Sequence, residues 1–237
     1  MKRTLKVTVA AALAATVGLT ALIGFAHTKH GRPLLALLGA HGSHHRGGGG
    51  CPLGFDKAQT PEQKEASRAS FSRAHRGAAL VRARPALGFR LDATTEADVL
   101  AWAQASGVSC KKPRAGYDLD CAAIPDSALP EAERGAGLRS LWLGFGGDGK
   151  LVTVVAVRKS ADPRVVSEAF ASVKGRVEHA AGPASSVVGE GRPEELASGA
   201  LYQASAEYRF KNYYALARAT NMGDGFLLTE EYRSLTD

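Results

Sequence analysis

Histidine is the residue type that most invites a chemical reading. Five of the seven, His27, His30, His41, His44 and His45, lie ahead of Cys51 in a stretch interrupted by Gly47 to Gly50. Neutral imidazoles are good ligands for zinc, copper and nickel, and thiolate adds to the set. His41, His44 and His45 fall within five residues, and Cys51 is near enough to join them. The spacing does not match a closed structural site, which needs two pairs of ligands at short fixed separations. Two readings follow: a metal-buffering tail, or a solvated linker that takes up zinc, copper or nickel only adventitiously and needs no cofactor.

Catalytic patterns are missing elsewhere. There is no Gly-x-Ser-x-Gly elbow, no His-Glu-x-x-His and no phosphate loop. Gly146-Gly-Asp-Gly149 is glycine-rich, but apolar strand-like runs flank it on both sides and no Lys-Ser or Lys-Thr pair follows, so it reads as a hairpin turn. Asp118 and Asp120 share one face of a strand, where two acids could do acid/base work. Their expected role is plainer: solvent-facing partners of Lys111 or Lys112 across a hairpin. Glu230 and Glu231 read the same way, and His75 and His179 read as surface histidines on helices. No catalytic residue is assigned, and an enzyme is not expected.

The chain of 237 residues has room for one or two domains. Lys2, Arg3 and Lys6 precede Val7 to Ala26, a run without charge, and Gly24 and Ala26 stand at the −3 and −1 positions of a cleavage site. This pattern reads as a secretory signal, or, uncleaved, as an anchor in the inner membrane. In both cases the remainder is expected outside the inner membrane, periplasmic or extracellular. The formal charge of +7 becomes +4 once those three cations are set aside, with 27 basic against 23 acidic side chains. That balance, without a nucleic-acid-binding motif, argues against a nucleic-acid partner. Basic residues are densest from Arg68 to Arg90. They read as a solvated helix face, or as a contact for anionic lipid or another acidic envelope surface.

Four regions result: 1–26 export segment or anchor, 27–59 His/Gly-rich linker, 60–82 surface helix, and 83–237 a folded domain. Thr60-Pro61-Glu62-Gln63 opens the first helix with a capping box. A second helix begins at Thr94 or Thr95 and buries Val99, Trp102 and Ala103. A third follows Asp162-Pro163, with Val166, Phe170, Val173 and Val177 on one face. Strand-like segments occupy 107–112, 117–122, 139–145 and 151–158, then 184–188, 203–210, 213–220 and 226–232. The fold class expected is α+β, with helices on one face of an antiparallel sheet and two tandem helix-plus-four-strand units, 87–158 and 159–237. If Ala115-Gly116 tips the first hairpin, Cys110 lies opposite Cys121, within reach of a disulfide. Cys51 is left over, either free or bridged to another chain.

Gly88-Phe-Arg-Leu-x-x-Thr-Thr-x-Ala-Asp-Val99, followed by a helix and a cysteine-bearing hairpin, resembles the small periplasmic domains of the outer-membrane-assembly lipoprotein (SmpA/OmlA) type. The tandem order of helix and four strands is similar to that of the beta-lactamase-inhibitor protein. The resemblance covers about a dozen residues. It implies a non-catalytic envelope module that binds other proteins. Cys51 is far past the apolar run, so lipid attachment does not carry over with it.

Overall fold

A computed structural model describes residues 60–113, 117–134 and 136–236. Helix α1 (Pro61–His75) is opened by the expected capping box, with Thr60 accepting from the Gln63 amide. Helix α2 (Glu96–Ala105) starts the same way from Thr95 and Asp98. The first strands are β1 (Ser109–Lys111) and β2 (Leu119–Ala122). Two 3-10 turns, Asp126–Ala128 and Glu131–Glu133, lead to β3 (Leu138–Phe145) and β4 (Leu151–Ser160). The second half holds α3 (Pro163–Ala181), β5 (Ser186–Val188), the short α4 (Pro193–Leu196), β6 (Gln203–Arg209), β7 (Tyr213–Asn221) and β8 (Phe226–Ser234).

All eight strands form one sheet in the order β1-β2-β3-β4-β8-β7-β6-β5, and each neighbouring pair is antiparallel. Each half thus contributes four consecutive strands, and the last strands of the halves, β4 and β8, join them at the centre. The fold is α+β, with helices packed against an antiparallel sheet.

Alternation sorts the side chains onto two faces. One face carries Leu141, Leu143, Val154, Ala156, Ala217, Ala206 and Tyr208, all buried beneath helices. The α3 residues Val166, Phe170, Val173 and Val177 lie at the expected spacing and are each at most 4 % exposed. Alanine in β6 and β7 gives α3 room to approach. Val99 and Ala103 of α2 cover the β1–β3 side, with Trp102 packed at their edge.

Helix α1 ends at His75, short of the 60–82 helix expected from the sequence. The cause lies in the following segment. Gly77 donates to the Phe210 carbonyl at 3.0 Å, Lys211 donates to Ala79 O at 2.7 Å, and Val81 exchanges hydrogen bonds with the Asn212 amide. Pairing with the β6–β7 turn requires extended backbone, so the helix stops. A Cβ on Gly77 would meet Arg209 O at 2.1 Å, which only glycine avoids. Residues 76–95 then pass around this end of the sheet. Tyr213 donates to Pro85 O at 2.6 Å, and Asp92 donates to Leu151 O at 2.8 Å. Ala86, Leu87 and Leu91 enter the helix-side core along the way.

Candidate functional site

The second face of the sheet is where functional side chains gather. Register defines its rows. One row runs Glu207, Leu216, Glu231, Val155, Trp142, Asp120 and Lys111. The next, toward the β7–β8 turn, runs Val188, Ser205, Arg218, Thr229, Val157, Ser140 and Ala122. On the other side lie Arg209, Tyr214, Arg233, Thr153 and Gly144.

Helix α1 is fixed over this last row. Phe71 meets Tyr214 edge-on at 5.0 Å and stacks with His75 at 4.1 Å, and the Arg233 guanidinium lies 4.1 Å from the Phe71 ring centre. Lys64 pairs with Asp118, and Arg68 and Arg76 donate to the carbonyls of Thr236 and Leu235. Among the described residues, no hydrogen bond, ion pair or ring contact from α1 reaches the rows beyond. Those rows present Trp142, stacked on Tyr117 at 5.7 Å, together with Val157, Thr229 and exposed Arg218. Burial pushes the Tyr117 phenol up, so it stays a neutral hydrogen-bonding group at neutral pH. The acids of the central row are answered locally: Glu207 by Arg209 at 2.8 Å, Glu231 by Arg233, and Asp120 by Lys111 at 3.9 Å. Arg218 makes no ion pair among the described residues.

An open groove of about 710 Å³ adjoins this face where Ala122 and Ser140 line it. Ile124, Pro125 and Leu138 supply apolar wall, and Arg139 one cation. Its lining has no carboxylate, imidazole or thiol, so it offers hydrogen bonding and charge to a ligand but no general base. Among the described residues no cluster of three histidine, cysteine or acidic side chains could hold a metal, and no helix is long and apolar enough to cross a membrane.

The residues singled out from sequence fall variously. Cys110 and Cys121 stand opposite each other in the expected register and are bridged, with Cα atoms 4.0 Å apart. The tip Ala115-Gly116, the tail residues His41, His44, His45 and Cys51, and the apolar run 7–26 lie outside the described residues. Asp120 does pair with Lys111. Asp118, however, pairs with Lys64 of α1 and also accepts from the Phe145 amide at 2.8 Å, while Lys112 reaches Glu96. His179 is exposed, whereas His75 is half-buried against Phe71 and Tyr214 because α1 lies on the sheet.

Glu230 corrects the sequence reading most sharply. It was expected at the surface beside Glu231, yet it is fully buried. Strand alternation puts Glu231 on the second face and Glu230 beneath α3. Glu230 accepts from Arg158 at 2.5 Å, from Arg176 at 3.1 Å and from the Tyr232 hydroxyl at 2.6 Å. Arg158 also donates to the carbonyls of Glu133 and Ala136, both at 2.9 Å, and Arg176 pairs with Glu133 at 2.8 Å. Burial pushes the Glu133 carboxyl up, and the adjacent Arg176 opposes it. This buried cluster ties Glu133, Ala136 and α3 to the sheet, so its role is positional. Its only sequence signal is the parity of Glu230 with Leu228 and Tyr232.

No family model matches the chain, and no curated protein or solved structure matches it.

Proposed function

We propose that the chain is an exported cell-envelope protein whose folded domain is a non-catalytic protein-binding module, with the half of the second sheet face left free by α1 as its binding surface. The observation that carries this is the composition of that surface. Trp142 stacked on Tyr117, and an exposed Arg218 on the same face without an ion-pair partner among the described residues, are the residue types that dominate protein–protein hot spots, and Val157 adds apolar surface between them. Locally neutralised acids and hydroxyls surround them, as in an interface rim. The resemblance in element order to a beta-lactamase-inhibitor protein and the signal-like run 7–26 support the same reading.

A photo-crosslinking amino acid placed at Val157 or Arg218 in producing cells tests it. Adducts to one partner from these positions, absent from the outer face of α3 at Glu168, are the expected result. Equal adducts from both faces, or none, would refute the sheet-face site. Trp142→Ala should lower affinity for the captured partner by about 2 kcal/mol or more.

A second reading rests on His41, His44, His45 and Cys51: a periplasmic protein that buffers zinc, copper or nickel with its tail. Metal uptake accompanied by proton release, and lost on deleting residues 27–50, is its measurable sign.

A further inference from the structure

The segment between α1 and α2 is basic and ends in an apolar tip. From Ala66 to Leu91 the chain holds six arginines and no acidic residue. At its middle, the pairing of Gly77 to Val81 with the β6–β7 turn sets Leu80 outward, 67 % exposed, between exposed Ala79 and half-buried Val81. Arg73 precedes this tip, Arg82 follows it, and Lys211 is held beside it through the 2.7 Å bond from its amide to Ala79 O. All three cations are exposed, and their side chains make no ion pair among the described residues. The nearby acids are already engaged: Glu207 with Arg209, Asp92 with Arg84 and Glu178 with the Tyr208 hydroxyl.

We propose that this end of the domain, exposed Leu80 together with the exposed cations Arg73, Arg82 and Lys211, docks on the anionic headgroups of a lipid bilayer. The chemistry favours a bilayer over an acidic protein. A protein partner would satisfy the cations but would need a dedicated pocket for a single projecting leucine. The acyl boundary of a bilayer accepts such a tip anywhere along its surface, while guanidinium and ammonium groups stay at phosphate depth. The two contributions are also complementary, since neither one leucine nor three cations alone gives lasting attachment. This inference goes beyond the sheet-face reading and does not depend on it. Losing a protein partner through Trp142→Ala would leave bilayer docking intact.

The full chain in a Cys51→Ser background, with Leu80→Cys carrying an environment-sensitive dye, provides the test. Vesicles of phosphatidylcholine with about a third phosphatidylglycerol should blue-shift the dye, and pure phosphatidylcholine vesicles should not. Lys2, Arg3 and Lys6 beside the run 7–26 also favour anionic vesicles, so the contrast between positions 80 and 222 on the same chain is what reports the docking end. The dye at Met222→Cys, beyond the opposite end of the sheet, should stay unchanged with either lipid. Raising salt to about 0.5 M should reverse the shift. Arg73→Glu with Arg82→Glu should weaken partitioning by roughly 25-fold or more, at about fivefold per lost cation. Both positions are exposed and should tolerate the change. An equal shift in both vesicles, no shift at position 80, or a matching shift at position 222 would each overturn the proposal. The same shift produced by soluble polyglutamate without lipid would overturn it in favour of an acidic protein.

Discussion

Glu230 and Arg158 are respectively 0 % and 2 % exposed, so each is the other's main electrostatic compensation. Removing one member of such a pair leaves a charge in a poorly hydrated interior, which costs roughly 3–5 kcal/mol. Glu230→Ala should therefore destabilise the domain by about that much in urea unfolding. A double variant, Glu230→Leu with Arg158→Met, should recover a large part of the loss, because no unpaired charge remains. Full additivity of the two single changes would show that the pair is not coupled. Asp92 provides a pH-dependent case. Burial alone would raise its pKa, but hydrogen bonds from Ser234, Arg84 and Thr236 and the Arg84 charge outweigh that and hold it below the usual value. A depressed carboxyl contributes stability above its unfolded pKa of about 3.9 and loses it as pH falls through the folded value. Asp92→Asn should accordingly be less stable than the native chain at pH 7. The difference should shrink steadily below about pH 4. A gap that persists unchanged at pH 2 would mean that packing, not charge, is the contribution of Asp92.

Two elements depend on few contacts. The β1–β2 ladder is short, and the Cys110–Cys121 bridge closes it over a sequence separation of 11. In the chain-entropy model a loop of that size stabilises by about 3 kcal/mol. Reduction should lower the melting temperature. Mass spectrometry of the unreduced, alkylated protein should show Cys110 linked to Cys121 and Cys51 alkylated. Helix α1 is polar, and its only buried residue is Ser72. Its hold on the sheet is concentrated in Phe71, packed between Tyr214 and Arg233. Phe71→Ala should release α1 at a cost of about 1–2 kcal/mol, since the ring is only partly buried. Amide exchange should then rise across residues 61–75 and stay unchanged in β7 and β8. Gly77→Ala should loosen the same end by forcing its new methyl against the Arg209 carbonyl.

At the scale of the molecule, the junction of β4 with β8 makes the two tandem units one sheet. β4 is almost wholly buried, and in a fragment ending at Ser160 it would become a long apolar edge. Such a fragment should aggregate or stay unfolded, and the complete domain should unfold in a single calorimetric transition. Two separated transitions would mean that the halves are independent domains. Deleting residues 27–50 should leave that transition almost unmoved, because polar, glycine-rich chain buries little apolar surface. A drop of several degrees would place part of that segment on the domain.

Much of this was legible in the chain itself, where the signals are local. Capping boxes at Thr60 and Thr95, the Val166–Val177 stripe and the alternation of the strands depend on backbone periodicity and nearby hydrogen bonds, so the elements and the Cys110–Cys121 register follow from residues a few positions apart. The sheet order, the burial of Glu230 and the early end of α1 were not legible. They depend on partners far along the chain: Arg158 is 72 residues from Glu230, and Phe210 is 133 from Gly77. An acid pair such as Glu230-Glu231 looks solvated in sequence because alternation alone cannot say which face a helix will cover. The candidate binding face has the same origin. Trp142, Tyr117, Val157 and Arg218 come from four strands or their flanks, and only the pairing of β2, β3, β4, β8 and β7 sets them on one surface.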